Sequence, residues 1–404
     1  MRISTSSTYE NAVTQFNSMQ ANISNTINQI DTGVAITSPA DNPAAASQVL
    51  VVSQADSVET QLGVNRNNAT SALSTSDGVL SGVTSLLQNM ETQIVEAGNG
   101  SLSSADRATI ATQLQSSMSQ LMTLANSTDG NGNYMFSGTA TSTPPFVASA
   151  NGATYNGNQN TQMLQVSNAQ QTAVTTVGTA VFGNIITSPN AFFGIPDANN
   201  TSSATISAGT VSNPAALTGD NYEISFTSPT AYNVTDSSTG AVVSTANAYT
   251  SGSPITFDGI TLSVSDGTGA NATPAAGDQF AVQPGNQNIF QTLNNAITAL
   301  NNASTSTAGQ ANLATSLSQA NSNISAALNN VLNVRDSYGN SMQQVTSLNS
   351  VGSTVDLAYK TTIGTLQNVN YAQAISQLSL EQFTYEAAQK SFASTSKLDL
   401  INML

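Results

Sequence analysis

The chain has 404 residues, 39% of them hydrophobic and only 7% charged, with 22 acids against 7 bases for a net charge of −15. That length suits two or three domains, and the scattered acidic excess disfavours nucleic acid or a membrane surface as partner. With no cysteine and no histidine, disulfide scaffolds, Ser-His-Asp and Cys-His triads and nearly all transition-metal sites are excluded.

The opening segment reads as an amphipathic helix. Tyr9, Phe16, Ile23 and Ile30 recur every seven residues, with Ala12, Val13, Met19 and Ile27 at the flanking helical offsets. The remaining faces carry Asn, Ser, Thr and Gln, so the natural partner of the stripe is another helix. Between Thr32 and Pro43 the pattern breaks and restarts. Gly33 suits the left-handed position past a helix end, Asn42 suits an N-cap, and Pro43 fits the first turn, where a missing N–H costs nothing. A second helix should run to about Ala97, its later half repeating Leu73, Leu80, Leu87 and Ile94 with Val83 and Met90 between them. Gly98-Asn99-Gly100 stops it. A third opens near Ser103 or Ser104 with Asp106 in its first turn, buries Ile110, Leu114, Leu121 and Leu124, and ends between Asp129 and Gly132.

From Asn133 to about Pro284 short alternating runs are separated by Gly, Pro, Asn and Asp, as in β structure. Tyr222, Ile224 and Phe226 alternate, as do Ile260, Leu262 and Val264, and Phe280 and Val282. Phe257-Asp258-Gly259-Ile260 predicts a hairpin in which Phe257 lies beside Ile260 and Ile255 beside Leu262. Strand order does not follow from these runs.

Helical spacing returns at Phe290, Leu293, Ile297 and Leu300, followed by a low-complexity loop from Ala303 to Gln310. The next helix repeats Leu317, Ile324, Val331, Tyr338 and Val345, with Leu328, Val334 and Met342 alongside, and weakens between Gly352 and Gly364. The final helix carries Tyr371, Leu378, Tyr385 and Phe392 at the seven-residue spacing of the first, with Ala374, Ile375 and Ala388 beside them. The fold class is therefore α+β: a long antiparallel helical bundle or coiled coil built from both chain ends, with a central, mainly β inserted domain. The termini lie together and the insert projects from the far end. The expected division is 1–43 with 355–404 as a terminal coiled coil, 44–139 with 286–354 as a helical bundle, and 140–285 as a variable outer domain. Two thin terminal helices bury too little to offset their ordering entropy. They are expected to be largely disordered in a free monomer and helical among neighbouring subunits.

Chemistry-bearing constellations are sparse. Asp258, Asp266 and Asp278 lack an EF-hand pattern and suit turns, so no metal is expected. Glu91 and Glu96 are five apart, off a common helix face, and Gly130-Asn131-Gly132 has no lysine after it and reads as a turn. Neither catalysis nor a cofactor is expected. The start lacks the basic and apolar regions of a secretory signal, and no stretch approaches the ~20 apolar residues of a membrane span. Any export is expected to use another route.

The opening Met1-Arg2-Ile3-Ser4-Thr5-Ser6, the loop Ser38-Pro39-Ala40-Asp41-Asn42-Pro43-Ala44-Ala45 and the stretch Gly132-Asn133-Tyr134-Met135-Phe136-Ser137-Gly138, in this layout, resemble the flagellin superfamily of bacterial axial flagellar proteins. Within it the last stretch resembles a Gly-x-Tyr-x-Phe-Ser-Gly signature of the distal proteins of the hook–filament junction, and Ile255 to Ile260 with Gly277-Asp278-Gln279-Phe280 resembles a piece of their outer domain. The resemblance covers about 140 residues at the start and about 110 at the end. Where many relatives carry a basic residue after the loop glycine, Val34 and Ala35 follow Gly33, and the acidic pair of that loop is Asp41-Asn42.

The resemblance implies a structural adaptor outside the cell, exported without a cleaved signal peptide through the flagellar type III channel and assembled as a ring of its own subunits. It implies as partners the proximal hook-associated junction protein, flagellin, and an export chaperone on the C-terminal helix. Tyr9, Phe16, Ile23 and Ile30 would then form an N-terminal assembly seam, and Tyr371, Leu378, Tyr385 and Phe392 a C-terminal seam shared with the chaperone. Asp41, Asn42 and Pro43 mark the loop motif, and Tyr134 and Phe136 the junction motif, as packing residues. Two other readings stay open here: a flagellin filament subunit and, from a different class, a type III-secreted adhesin or translocator.

Overall fold

The computed structural model describes residues 5–149, 152–183, 185–186, 191–197, 199–218, 220–237, 239–284, 286–303 and 307–402. Helices α1 (Thr5–Thr32), α2 (Pro43–Ala97) and α3 (Ser104–Ala125) come first. Then follow β1 (Phe146–Ser149), β2 (Gly152–Tyr155), β3 (Met163–Ser167), β4 (Gln170–Ala173) and the short α4 (Gly178–Phe182). The central strands are β5 (Ile185–Ile186), β6 (Ala191–Pro196), β7 (Thr205–Ile206), β8 (Gly209–Val211), β9 (Tyr222–Ser228), β10 (Ala231–Asp236), β11 (Val242–Ala248), β12 (Pro254–Phe257), β13 (Ile260–Ser265), β14 (Gln279–Pro284) and β15 (Asn286–Gln287). The chain closes with α5 (Ile289–Asn301), α6 (Thr307–Gln367) and α7 (Tyr371–Asn402).

The helix starts follow from local chemistry. Asn42 Oδ1 accepts from Ala45 N at 3.1 Å ahead of Pro43, satisfying one of the free amides of the first turn of α2. Ser103 and Asp106 exchange hydrogen bonds as a capping box on α3. Three boundaries differ from the expectation. Helix α3 ends at Ala125, earlier than expected, because the Asn126 side chain turns away to bond Phe146 through both its N–H and its C=O at 2.9 Å. Thr307 to Gln310 are helical, so the loop before α6 is shorter than its composition suggests. Helix α6 also runs unbroken through Gly352 and Gly364 to Gln367. Each glycine costs about 1 kcal/mol in a helix interior, too little to interrupt a helix that is already propagating; the break falls at 368–370 instead.

The chain divides into two compact units, residues 1–65 with 347–404, and residues 66–346. In the larger unit the helical core holds Leu73, Leu80, Leu87 and Ile94 of α2, Ile110, Leu114 and Leu121 of α3, Phe290, Leu293 and Leu300 of α5, and Leu317, Ile324, Val331 and Tyr338 of α6. These positions face inward as expected, whereas Leu124 of α3 is only partly buried at the edge of the core. Phe146, Ala153, Val181 and Phe182 join the same core.

The sheet of the larger unit runs in the order β11-β10-β9-β14-β6-β8-β13-β12, all antiparallel, with β7 beside β13. Tyr222, Ile224, Phe226, Ile260, Leu262, Val264, Phe280 and Val282 form its core, the inward face of each alternating run. The predicted hairpin is present: Phe257 pairs Ile260 and Ile255 pairs Leu262. Asp258 and Gly259 take φ of 40° and 77°, as the two-residue turn requires.

Asp278, buried just before β14, anchors residues 199–203 by accepting from Thr201 N at 2.8 Å and Ser202 N at 3.3 Å, and also accepts from Ala275 N at 2.9 Å. Burial raises its pKa, but the bonds from Ala275, Ser202 and Thr201 more than offset this and hold it below the ordinary value. A depressed folded value means stabilisation that is complete at neutral pH and fades as the pH falls below about 4. The near-UV circular dichroism of the sheet-core tyrosines is expected to decay over that acidic range. Asp278→Asn should flatten the decay, and Asp278→Ala should cost about 3–5 kcal/mol at neutral pH by leaving several buried N–H groups unpaired.

Candidate assembly seam and junction motif

Helices α1 and α7 bring the two seven-residue rows together in reversed order. The Phe392 ring lies 5.6 Å from Tyr9 and 5.8 Å from Phe16, and Phe16 meets Tyr385 edge-on at 5.9 Å, a spacing and tilt at which aromatic rings attract. At the other end of the pair Val34 bridges Asn368, Ala35 N donates to Gln367 O at 2.7 Å, and Val369 N donates to Gly33 O at 2.9 Å. This register sets Ile23 opposite Leu378 and Ile30 opposite Tyr371.

A polar contact that the apolar rows did not reveal locks the middle. Thr26 is buried, and its hydroxyl donates to Glu381 Oε2 at 2.9 Å. Its signal in the sequence is its place between Ile23 and Ile30 on one helix face. Gly33 has φ of 70°, a conformation in which any other residue is strained, and a Cβ there would stand 2.9 Å from the Tyr371 hydroxyl and oblige that ring to shift.

The seam is paired but not sealed. Phe16, Ile23, Ile30, Leu378, Tyr385 and Phe392 are half-buried, while Tyr9 and Tyr371 remain 60% and 52% exposed. Leu380 and Phe383, on other faces of α7, are 62% and 69% exposed. Among the described side chains of the smaller unit only Thr26, Leu62 and Ala374 are buried, together with Gly352.

The 33–42 loop is held by its own polar groups. Asp41 Oδ2 accepts from Ser38 N at 2.7 Å and from Thr37 N and Oγ1 at 3.0 Å. The hydrogen bond from the Ser38 backbone and that from the Thr37 hydroxyl hold its carboxyl below the usual range. The backbone bonds from Ala35 N to Gln367 O and from Val369 N to Gly33 O tie this loop to the α6–α7 turn.

The junction motif lies in the larger unit. Phe136 is fully buried and meets Phe182 edge-on at 5.5 Å. Phe182 stands 5.5 Å from Phe146 and 6.2 Å from Phe290, which completes an aromatic cluster. The Phe136 carbonyl accepts from Gly178 N at 2.7 Å and the Tyr155 hydroxyl at 3.1 Å. Tyr134 is half-buried and lines a groove of about 650 Å³ with Asn68, Asp129 and Gln162.

Of the acids weighed for metal or catalysis, Asp258, Asp266, Asp278 and Glu91 are engaged in the fold, while Glu96 is exposed. Asp266 accepts from the Tyr249 hydroxyl at 2.7 Å, Glu91 from the Ser325 hydroxyl at 2.7 Å, and Asp258 forms the hairpin turn.

Comparison with known proteins gives a consistent picture. Residues 3–141 match the family model of the bacterial flagellin N-terminal helical region, and residues 195–284 match that of the D2-like domain of flagellar hook-associated protein 1. The chain is 28% identical over 404 residues to flagellar hook-associated protein 3 of Salmonella typhimurium, covering 100% of this chain and 99% of that protein. It is similar to the crystal structure of flagellar hook-associated protein 3 from Legionella pneumophila, with 30% identity, a TM-score of 0.63, and coverage of 79% of this chain and 98% of that one. It is also similar to the FlgL structure from Xanthomonas campestris, at 28% identity and a TM-score of 0.63, covering 78% of this chain and 99% of that one.

Proposed function

Because the chain belongs to the family of flagellar hook-associated protein 3, it is a structural protein of the bacterial flagellum, and we propose that it acts at the hook–filament junction as the adaptor on which flagellin assembly starts. It works by packing, without catalysis. Its terminal rows, Tyr9, Phe16, Ile23 and Ile30 with Tyr371, Leu378, Tyr385 and Phe392, complete their burial against sister subunits in a ring. The ring stands between the proximal hook-associated junction protein and the first flagellin subunits. Before assembly the chain travels unfolded through the type III channel without a cleaved signal peptide, its C-terminal row covered by an export chaperone. The loop motif of Asp41, Asn42 and Pro43 fixes the turn between α1 and α2, and Tyr134 with Phe136 stiffens the larger unit.

The observation that carries this reading is the seam itself, whose apolar rows meet yet stay half exposed in a unit whose described side chains form almost no closed core. Surface of that kind gains about 25 cal/mol for each Å² of apolar area that a neighbour covers. The test is a deletion strain examined by electron microscopy. Loss of the gene is expected to leave hooks without filaments and flagellin free in the medium. A deletion strain with normal filaments would reject the proposal, and one that keeps completed junctions without a filament and secretes no flagellin would point to the filament subunit instead.

A further inference from the structure

Four Asn-Gly pairs occur in the chain, at 99–100, 131–132, 151–152 and 156–157. An asparagine before glycine is chemically fragile, because the next backbone nitrogen is unhindered and can attack the side-chain amide carbon. The surroundings of the pairs differ. Asn151 lies outside the described residues. In the 131–132 pair the Gly132 N–H is already donated to Asp129 O at 3.1 Å, and Asn131 N is held by Asp129 Oδ1 at 2.8 Å. In the 156–157 pair Gly157 is wedged so closely that a Cβ would stand 2.3 Å from the Tyr155 hydroxyl and 2.8 Å from Ser137 O.

The 99–100 pair, in the turn between α2 and α3, has neither protection. Both residues are exposed, a Cβ on Gly100 would meet nothing within 4 Å, and the Gly100 N–H makes no hydrogen bond among the described residues. Asn99 Oδ1 also accepts from Ser101 N at 3.1 Å and from Ser101 Oγ at 2.9 Å. Those two donors draw electron density from the amide carbon and stand where negative charge develops on the oxygen during attack.

We propose that Asn99 is a site of spontaneous deamidation promoted by Ser101, which turns the neutral α2–α3 connection acidic. The Gly100 nitrogen forms a bond to Asn99 Cγ, and the charge that builds on Oδ1 is held by the Ser101 N–H and O–H. The bond from Cγ to the side-chain nitrogen then breaks. Ammonia departs with the proton from Gly100 and leaves a five-membered imide. Water adds to either imide carbonyl and opens the ring to aspartate or isoaspartate, so water is the sole co-reactant. The new carboxylate lies just beyond the C-terminus of α2, where the helix end is already partly negative. The isoaspartate form reroutes the backbone through Cβ and removes the bond from Leu102 N to Asn99 O, now 3.1 Å.

The experiment incubates the full-length folded chain in mildly alkaline buffer and follows each Asn-Gly peptide by mass, with a parallel sample unfolded in denaturant. Position 99 is expected to convert about tenfold faster than 131 and 156 in the folded chain, and the three rates to converge in the unfolded one. Ser101→Ala should slow conversion at 99 several-fold, and Gly100→Ala should nearly stop it, with unchanged far-UV circular dichroism in both. The proposal is overturned if Asn99 converts no faster than Asn131 and Asn156, if its lead persists in denaturant, or if Ser101→Ala leaves its rate unchanged.

Discussion

A strain carrying Phe392→Asp is expected to be non-motile, with flagellin lost to the medium, while the purified variant keeps the folded core of residues 66–346. Phe392 touches both Tyr9 and Phe16, at 5.6 and 5.8 Å, so it is the ring that joins two steps of the opposing row. A carboxylate there is tolerable while the seam is half wet. It becomes costly, by several kcal/mol, when a neighbouring subunit expels the remaining water. The penalty therefore falls on assembly more than on folding. Phe392→Leu, which keeps the apolar volume, should swim. Soft-agar motility and an assay of shed flagellin read the first effect, and thermal unfolding of the purified chain reads the second. Normal swimming by the aspartate variant would remove the seam from the mechanism.

Phe136→Ala is expected to destabilise the larger unit by about 3–5 kcal/mol, the range for a large aromatic removed from a closed core. The ring is fully buried against Phe182, and its loss also forfeits an edge-to-face contact worth about 0.5–1.5 kcal/mol. Tyr134→Ala, two residues away but half-buried, should cost about 1 kcal/mol or less. Urea unfolding followed by far-UV circular dichroism separates the two. Equal effects would show that the motif acts by something other than packing.

Much of this architecture is legible in the sequence because local chemistry and long-range packing agree along it. The heptad rows of α2 and α6 are buried because period and core coincide, and the Asp258-Gly259 turn fixes a hairpin register that no distant contact disturbs. Other features needed three dimensions. Sheet order places β14 between β9 and β6, a pairing across a long stretch of chain that no alternation encodes. Phe146 and Phe182 sit in turn-rich sequence, yet they complete the helical core by packing their rings on each other, on Phe136 and on Phe290. The unbroken course of α6 through Gly352 and Gly364 has a cooperative reason that a residue-by-residue reading misses. In the seam the apolar rows were visible, whereas the Thr26–Glu381 bond and the fit of Tyr371 over Gly33 depend on the register of α1 against α7.

Hydrogen exchange of α1 and α7, measured by mass spectrometry in dilute monomer and again in isolated flagella, addresses the seam most directly. If the terminal rows find full burial only among neighbours, their amides should exchange within the fastest class in the monomer and slow by about a hundredfold or more in the assembled appendage. Amides equally and strongly protected in both samples would mean that the terminal helices are self-sufficient, and that contradicts the mechanism proposed here.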